Sequence, residues 1–173
     1  MEKKKPKNFI IADLCFNSAA AAKESNTSLE DFNQKIISNW NAAVEEDDQV
    51  FVLGKFIMGT ISQIRDLVAK LNGNIILCSA QDAKERLPVN IWEMLGIKVY
   101  ENNITYFNKN GTTYYYSNNN KDFDCKNSKI KLTTEEVETP FYLKDGDRCF
   151  SLNAKIWDWN PVNLENIIQM VEE

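Results

Sequence analysis

The chain contains no histidine in its 173 residues. That removes the commonest metal ligand and the side chain most used for proton transfer near neutral pH. The four cysteines, Cys15, Cys78, Cys125 and Cys149, form no Cys-x-x-Cys pair, so a structural zinc site has no support. No apolar run is long enough to span a bilayer. The start, MEKKKPKN, lacks the apolar core and small-residue cleavage site of a secretion signal. Free thiols in a reducing cytoplasm are therefore expected. Nor is there an excess of positive charge. A net charge of −5 argues against a nucleic-acid backbone or an anionic membrane as partner.

What is present reads as a globular protein, 43% apolar and 26% charged. The length suits one domain over 1–173, with 1–7 as a flexible basic tail. Three apolar segments end in polar tips: NFIIAD at 8–13, VFVLGKF at 50–56 and NIILCSAQD at 74–82. Between the first two, CFNSAAAAKESNTS reads as a loop. Ser28 followed by Asp31 then starts a helix, with Leu29, Phe32, Ile36, Ile37 and Trp40 at helical spacing. EEDDQ at 45–49 reads as a solvated turn. Thr60 and Gln63 form a capping-box pattern ahead of Ile61, Ile64, Leu67, Val68 and Leu71. Gly73 stands where a helix C-cap is expected. Strand, helix, strand, helix, strand implies a parallel sheet with right-handed crossovers. Ligands of such sheets bind at the carboxyl ends of the strands, which places Asp13, Lys55 and Ser79–Asp82 at one edge.

The second half is poorer in helical pattern. Asn110-Gly111 between ITYFNK and TTYYYS is a hairpin signal. Tyr114–Tyr116 read as strand residues with alternate rings in the core. Residues 118–129 read as a polar loop, and short strands are expected around KIKL, PFYL and CFSL. The chain closes with IWDWNPV and a helix from about Asn163, with Leu164, Ile167, Ile168 and Val171 inward.

At this point the sequence resembles the calcineurin-like metallophosphoesterase superfamily, and within it the small bacterial and phage single-domain members. The likeness rests on IISNWNAAVEEDDQVFVLG, LVAKLNGNIIL and SLNAKIWDWNPVNLENI. It implies an α/β fold, a β-sandwich of mixed sheets flanked by helices in four layers, α/β/β/α, with two metal ions between the strand ends. The chain departs from the family's metal motifs in turn. Asp-x-His reads Asp13-Leu14-Cys15, and Gly-Asp reads Gly54-Lys55. Gly-Asn-His-(Asp/Glu) reads Ser79-Ala80-Gln81-Asp82, and Asn118 stands in the register of a later histidine. Gly-His-x-His cannot exist here.

Replacing a bridging aspartate by Lys55 inverts the sign of the site. Two unit charges about 4 Å apart repel by ~4 kcal/mol at an effective dielectric of 20, and a dication doubles this. The Lys55 ammonium is therefore expected to stand in for the metals and to pair with Asp13, with Asp82 as a further partner. Its loss would then destabilise the fold. Cys15 and Cys78 read as small buried hydrophobes, although with Asp13 they could form a soft-metal site. Trp157, Asp158 and Trp159 read as packing and backbone hydrogen bonding.

Three functions remain open. The first is a pseudoenzyme with no metal cofactor that binds a protein partner or a phosphorylated small molecule through Lys55, Ser79 and nearby amides. The second is an active hydrolase with one Mn, Mg or Zn ion held by Asp13, Asp82 and carboxylates such as Asp122, Asp124, Asp145 or Asp147. The third is a structural or regulatory subunit, homo-oligomers included, using aromatics of the 104–116 hairpin.

Overall fold

The computed structural model describes residues 4–78, 87–100, 104–117 and 128–173. Among the described residues the strands form two five-stranded mixed sheets. In the first, β1 (Asn8–Ala12), β2 (Gln49–Leu53), β3 (Asn74–Leu77) and β4 (Lys98–Val99) run parallel in chain order. β10 (Val162–Asn163) pairs antiparallel with β1. The second sheet holds β5 (Ile104–Lys109), β6 (Thr112–Ser117), β7 (Ser128–Thr133), β8 (Phe141–Lys144) and β9 (Asp147–Ser151). Their spatial order is β5-β6-β7-β9-β8, with β6, β7 and β9 parallel. The chain is thus mixed α/β. No helix among the described residues is long and apolar enough to cross a membrane.

The apolar runs follow from burial on both faces of the first sheet. Phe9, Val50 and Ile75 stand in register, as do Ile11, Val52 and Leu77, and all six enter the helix-side core. That core receives Ala22 of α1 (Ala19–Glu24), Phe32, Ile36 and Trp40 of α2 (Leu29–Ala43), Ile64 of α3 (Ile61–Val68) and Trp92 of α4 (Val89–Met94). Each large apolar side chain buried this way contributes ~1.5–3 kcal/mol. On the opposite face Ile10, Ala12 and Leu53 meet Tyr114, Ile130, Leu132 and Phe150 of the second sheet in a shared core. Phe51 and Phe107 join the sheets edge to face, with centroids 5.1 Å apart. The last helix, α5 (Leu164–Glu172), turns Leu164, Ile167 and Ile168 into that shared core. Among the described residues, helices α1 to α4 cover the outer face of the first sheet.

Local signals placed several elements. Ser28 accepts from the Asp31 N–H at 3.1 Å. Thr60 Oγ1 accepts from Gln63 N–H at 3.3 Å while the Gln63 side-chain Oε1 accepts from Thr60 N–H at 2.9 Å. Asn110 (φ 50°) and Gly111 (φ 77°) make the two-residue turn between β5 and β6.

Other expectations need correction. The segment read as a loop contains α1, capped by Ser18 accepting from Ala21 N–H at 3.2 Å. Four consecutive alanines favour a helix without any apolar periodicity. Gly73 does not cap α3, which ends at Val68. A Cβ on Gly73 would fall 2.7 Å from Val44 Cγ1 and 3.0 Å from Asp48 O, so it serves close packing. Leu29 and Ile61, each the first residue of its helix, are exposed rather than inward. Tyr115 is buried along with Tyr114, against the alternation expected, in a strand paired on both sides. The turn at 45–49 is not wholly solvated, since Asp48 is 4% exposed. Its carboxylate accepts the Lys7 N–H at 2.7 Å and the Glu45 N–H at 2.9 Å. Residues 4–7, expected as a free tail, lie along this turn, with Lys4 paired to Glu45.

Candidate functional site

The site edge begins where β1 and β2 stop pairing as strands but stay zipped together. Asp13 N–H donates to Leu53 O at 2.9 Å, Phe16 N–H to Phe56 O at 2.8 Å and Met58 N–H to Phe16 O at 2.9 Å. The backbone between them is unusual. Asp13, Cys15 and Asn17 all have positive φ, between 50° and 59°. Asp and Asn tolerate this region better than other non-glycine residues, and Cys does not. The alternation turns Asp13 towards β2, where its Oδ1 accepts the Lys55 N–H at 2.9 Å. Gly54 (φ 65°) makes the approach feasible, because a Cβ there would lie 2.1 Å from Asp13 Oδ1.

A second set of polar contacts fixes these loops from behind. Asn17 N–H donates to Asn33 Oδ1 at 3.0 Å, and Asn33 Nδ2 returns a bond to Asn17 Oδ1 at 2.9 Å. Asn17 Nδ2 reaches Met58 O at 3.0 Å. On the other flank, Ala12 N–H donates to Leu152 O at 2.7 Å, and Asn153 bridges beside it. Asn153 Nδ2 donates to Thr134 O at 2.8 Å, and Thr134 Cγ2 lies 3.5 Å from where a Gly54 Cβ would stand. Lys155 then joins Glu136 at 3.0 Å and Glu24 at 3.1 Å. The bond to Glu136, then that to Glu24, raises the Lys155 ammonium above its ordinary range. Asn17, Asn33, Thr134, Asn153 and Lys155 carry no sequence signal of a site. Their long-range partners lie between 16 and 131 positions away.

The sequence-predicted residues fare unequally. Asp13 and Lys55 meet, though not as expected. The ammonium–carboxylate pair is not formed: the backbone N–H of Lys55 satisfies Asp13, and the Lys55 side chain is exposed. The strand end leaves a main-chain donor closer to the carboxylate than the flexible lysine stem can compete with. Cys15 is half-buried in the left-handed loop, whereas Cys78 faces the shared core. Burial pushes the Cys78 thiol up to about 12, with Thr105 pulling weakly the other way, so it is a neutral small hydrophobe rather than a ready ligand. Asp145 and Asp147 lie at the amino end of β9, whereas Ser151 at its other end leads to Asn153 and the site. Four residues of strand span ~13 Å, so these two carboxylates do not join Asp13. Ser79, Gln81, Asp82, Asn118, Asp122 and Asp124 lie outside the described residues.

One oxygen of Asp13 accepts a main-chain N–H, Lys55 follows Gly54 beside it, and no three His, Cys, Asp or Glu among the described residues group together. The edge can instead present an exposed ammonium beside a rigidly held loop. The Trp157–Trp159 turn serves packing. Trp157 stacks on Phe150 and donates to Ser151 O at 3.0 Å, and Trp159 meets Phe32 edge to face at 5.3 Å.

No protein-family profile matches the chain. It is 24% identical over 176 residues to the uncharacterized protein MJ1445 of Methanocaldococcus jannaschii, across 96% of this chain and 92% of that one. The crystal structure of AQ665, a protein of unknown function from Aquifex aeolicus, shares the fold. Its TM-score is 0.69 at 13% identity, over 96% of this chain and all of the other. These likenesses extend over almost the whole chain, and neither brings an activity with it.

Proposed function

We propose that the chain is a degenerate calcineurin-like phosphoesterase, built on that family's β-sandwich, that binds a phosphorylated ligand and does not hydrolyse it. One observation carries the reading. At the edge where ligands of parallel sheets bind, Asp13 is turned inward to the Lys55 N–H while the Lys55 ammonium is left exposed. An edge that presents a lysine in this way suits an anion. An ammonium supplies charge and three donors to phosphate oxygens. The nearby Glu24 and Glu136 are already engaged by Lys155, which limits their repulsion of an anion. A protein partner displaying a phosphate would satisfy the same chemistry.

The decisive assay is hydrolysis of an aryl phosphodiester with added Mn²⁺ against a chelated control. Turnover should not exceed the control. Mn-dependent turnover that disappears in Asp13→Ala would overturn the proposal and establish a histidine-free metal site.

A further inference from the structure

The chain contains two Asn-Gly sequences, Asn72-Gly73 and Asn110-Gly111, and the fold treats them differently. An asparagine followed by glycine can modify itself. The glycine amide nitrogen attacks the asparagine Cγ, a new C–N bond closes a succinimide, and the side-chain nitrogen leaves as ammonia. Water then opens the ring at either carbonyl, giving aspartate or isoaspartate. No oxidant, enzyme or cofactor enters. The step needs a side chain free to rotate, a main chain free to open and a glycine without obstruction.

Asn72 meets none of these conditions. Its Nδ2 donates to Val44 O at 3.0 Å, its N–H to Asn41 Oδ1 at 2.9 Å, and its carbonyl accepts from Trp40 Nε1 at 2.8 Å. Gly73 is wedged against Val44 and Asp48. Asn110 differs in its main chain, in its glycine and in having a side chain tied only by one bond to the exposed Glu172. It is exposed at the tip of the β5–β6 hairpin, and nothing lies within 4 Å of a Cβ position on Gly111. In a two-residue turn closed by the Lys109–Thr112 pair, the Gly111 N–H is outside the ladder. Such tips open more readily than strand interiors.

The position also has a consequence. Asn110 Nδ2 donates to Glu172 Oε1 at 2.9 Å, tying the hairpin tip to the last turn of α5. We propose that Asn110 is a self-modification site whose conversion releases the hairpin from the C-terminal helix. Aspartate at 110 would set a carboxylate against that of Glu172, where like charges repel. Isoaspartate would add a methylene to a turn that tolerates only two residues of standard length.

The test ages the full chain in mildly alkaline buffer and maps peptides by mass and isoaspartate content. The Asn110 peptide should convert while the Asn72 peptide stays intact. An unchanged Asn110, or equal conversion at both positions, overturns the proposal. Backbone hydrogen exchange then reads the consequence. Asn110→Asp should speed exchange in the last turn of α5, and adding Glu172→Gln should reverse it. Unaltered exchange in Asn110→Asp removes the release step.

Discussion

The two edges of the first sheet each hold an aspartate against main-chain N–H groups, with a glycine packed close by, yet they do different things. At the amino edge, Asp48 is sealed from solvent and takes the N–H groups of Lys7 and Glu45. Burial alone would raise its carboxyl, but those two N–H groups outweigh it and hold the group below its usual range. This edge is a closed lock. At the carboxyl edge, Asp13 takes one N–H from a loop whose residues 13, 15 and 17 sit in the left-handed region, beside an exposed lysine. Strain held in place by surrounding contacts is a mark of functional edges. The same motif, an aspartate reading main-chain donors, closes the amino edge around a buried carboxylate, and at the carboxyl edge it fixes a left-handed loop beside an exposed lysine.

The sharpest way to break the comparison is Gly54→Ala. The left-handed backbone costs ~1–2 kcal/mol for a residue with a Cβ, and the contact with Asp13 adds to it. Urea unfolding should show a loss of at least ~2 kcal/mol, part of it recovered in an Asp13→Ala background. Equal losses in both backgrounds would mean that the two residues are not in contact.

Asp48→Asn should come next, at about 1.5–3 kcal/mol, the range for hydrogen bonds to a charged group. The pH dependence follows from its lowered folded pKa. Asp48 contributes fully above the unfolded value of about 3.9, and its contribution disappears as pH falls through the lower folded value. The variant should therefore lose less stability than the parent over that acid range. Parallel acid limbs for the two proteins would contradict the assignment.

Lys55→Ala should be the smallest effect, within about 0.5 kcal/mol, because the side chain is exposed and its ammonium makes no ion pair with Asp13. Its cost should appear in calorimetric titration with inorganic phosphate, where the proposed function expects weaker binding. A large loss of stability would restore the buried ion pair that the sequence alone suggested.

Where the sequence was legible, the cause was local. Ser28–Asp31, Thr60–Gln63 and Asn110–Gly111 act over two to four positions, so their outcome needs no distant partner. The strands β1 to β3 were legible because a sheet buried on both faces demands unbroken apolar runs. α1 was missed because helix propensity without an amphipathic stripe leaves no periodic trace.

The sequence by itself determined that three parallel strands end in Asp13, Gly54-Lys55 and Cys78, and that no histidine waits there. Tertiary structure decided what those ends do. It gave Asp13 to a backbone N–H, turned Cys78 into the shared core and sent Asp147 to the far end of its strand. It also drew Asn33, Thr134, Asn153 and Lys155 in behind the site. Hydrogen bonds and ion pairs select partners by distance in space. That distance is fixed only when the two cores close, and no spacing along the chain records it.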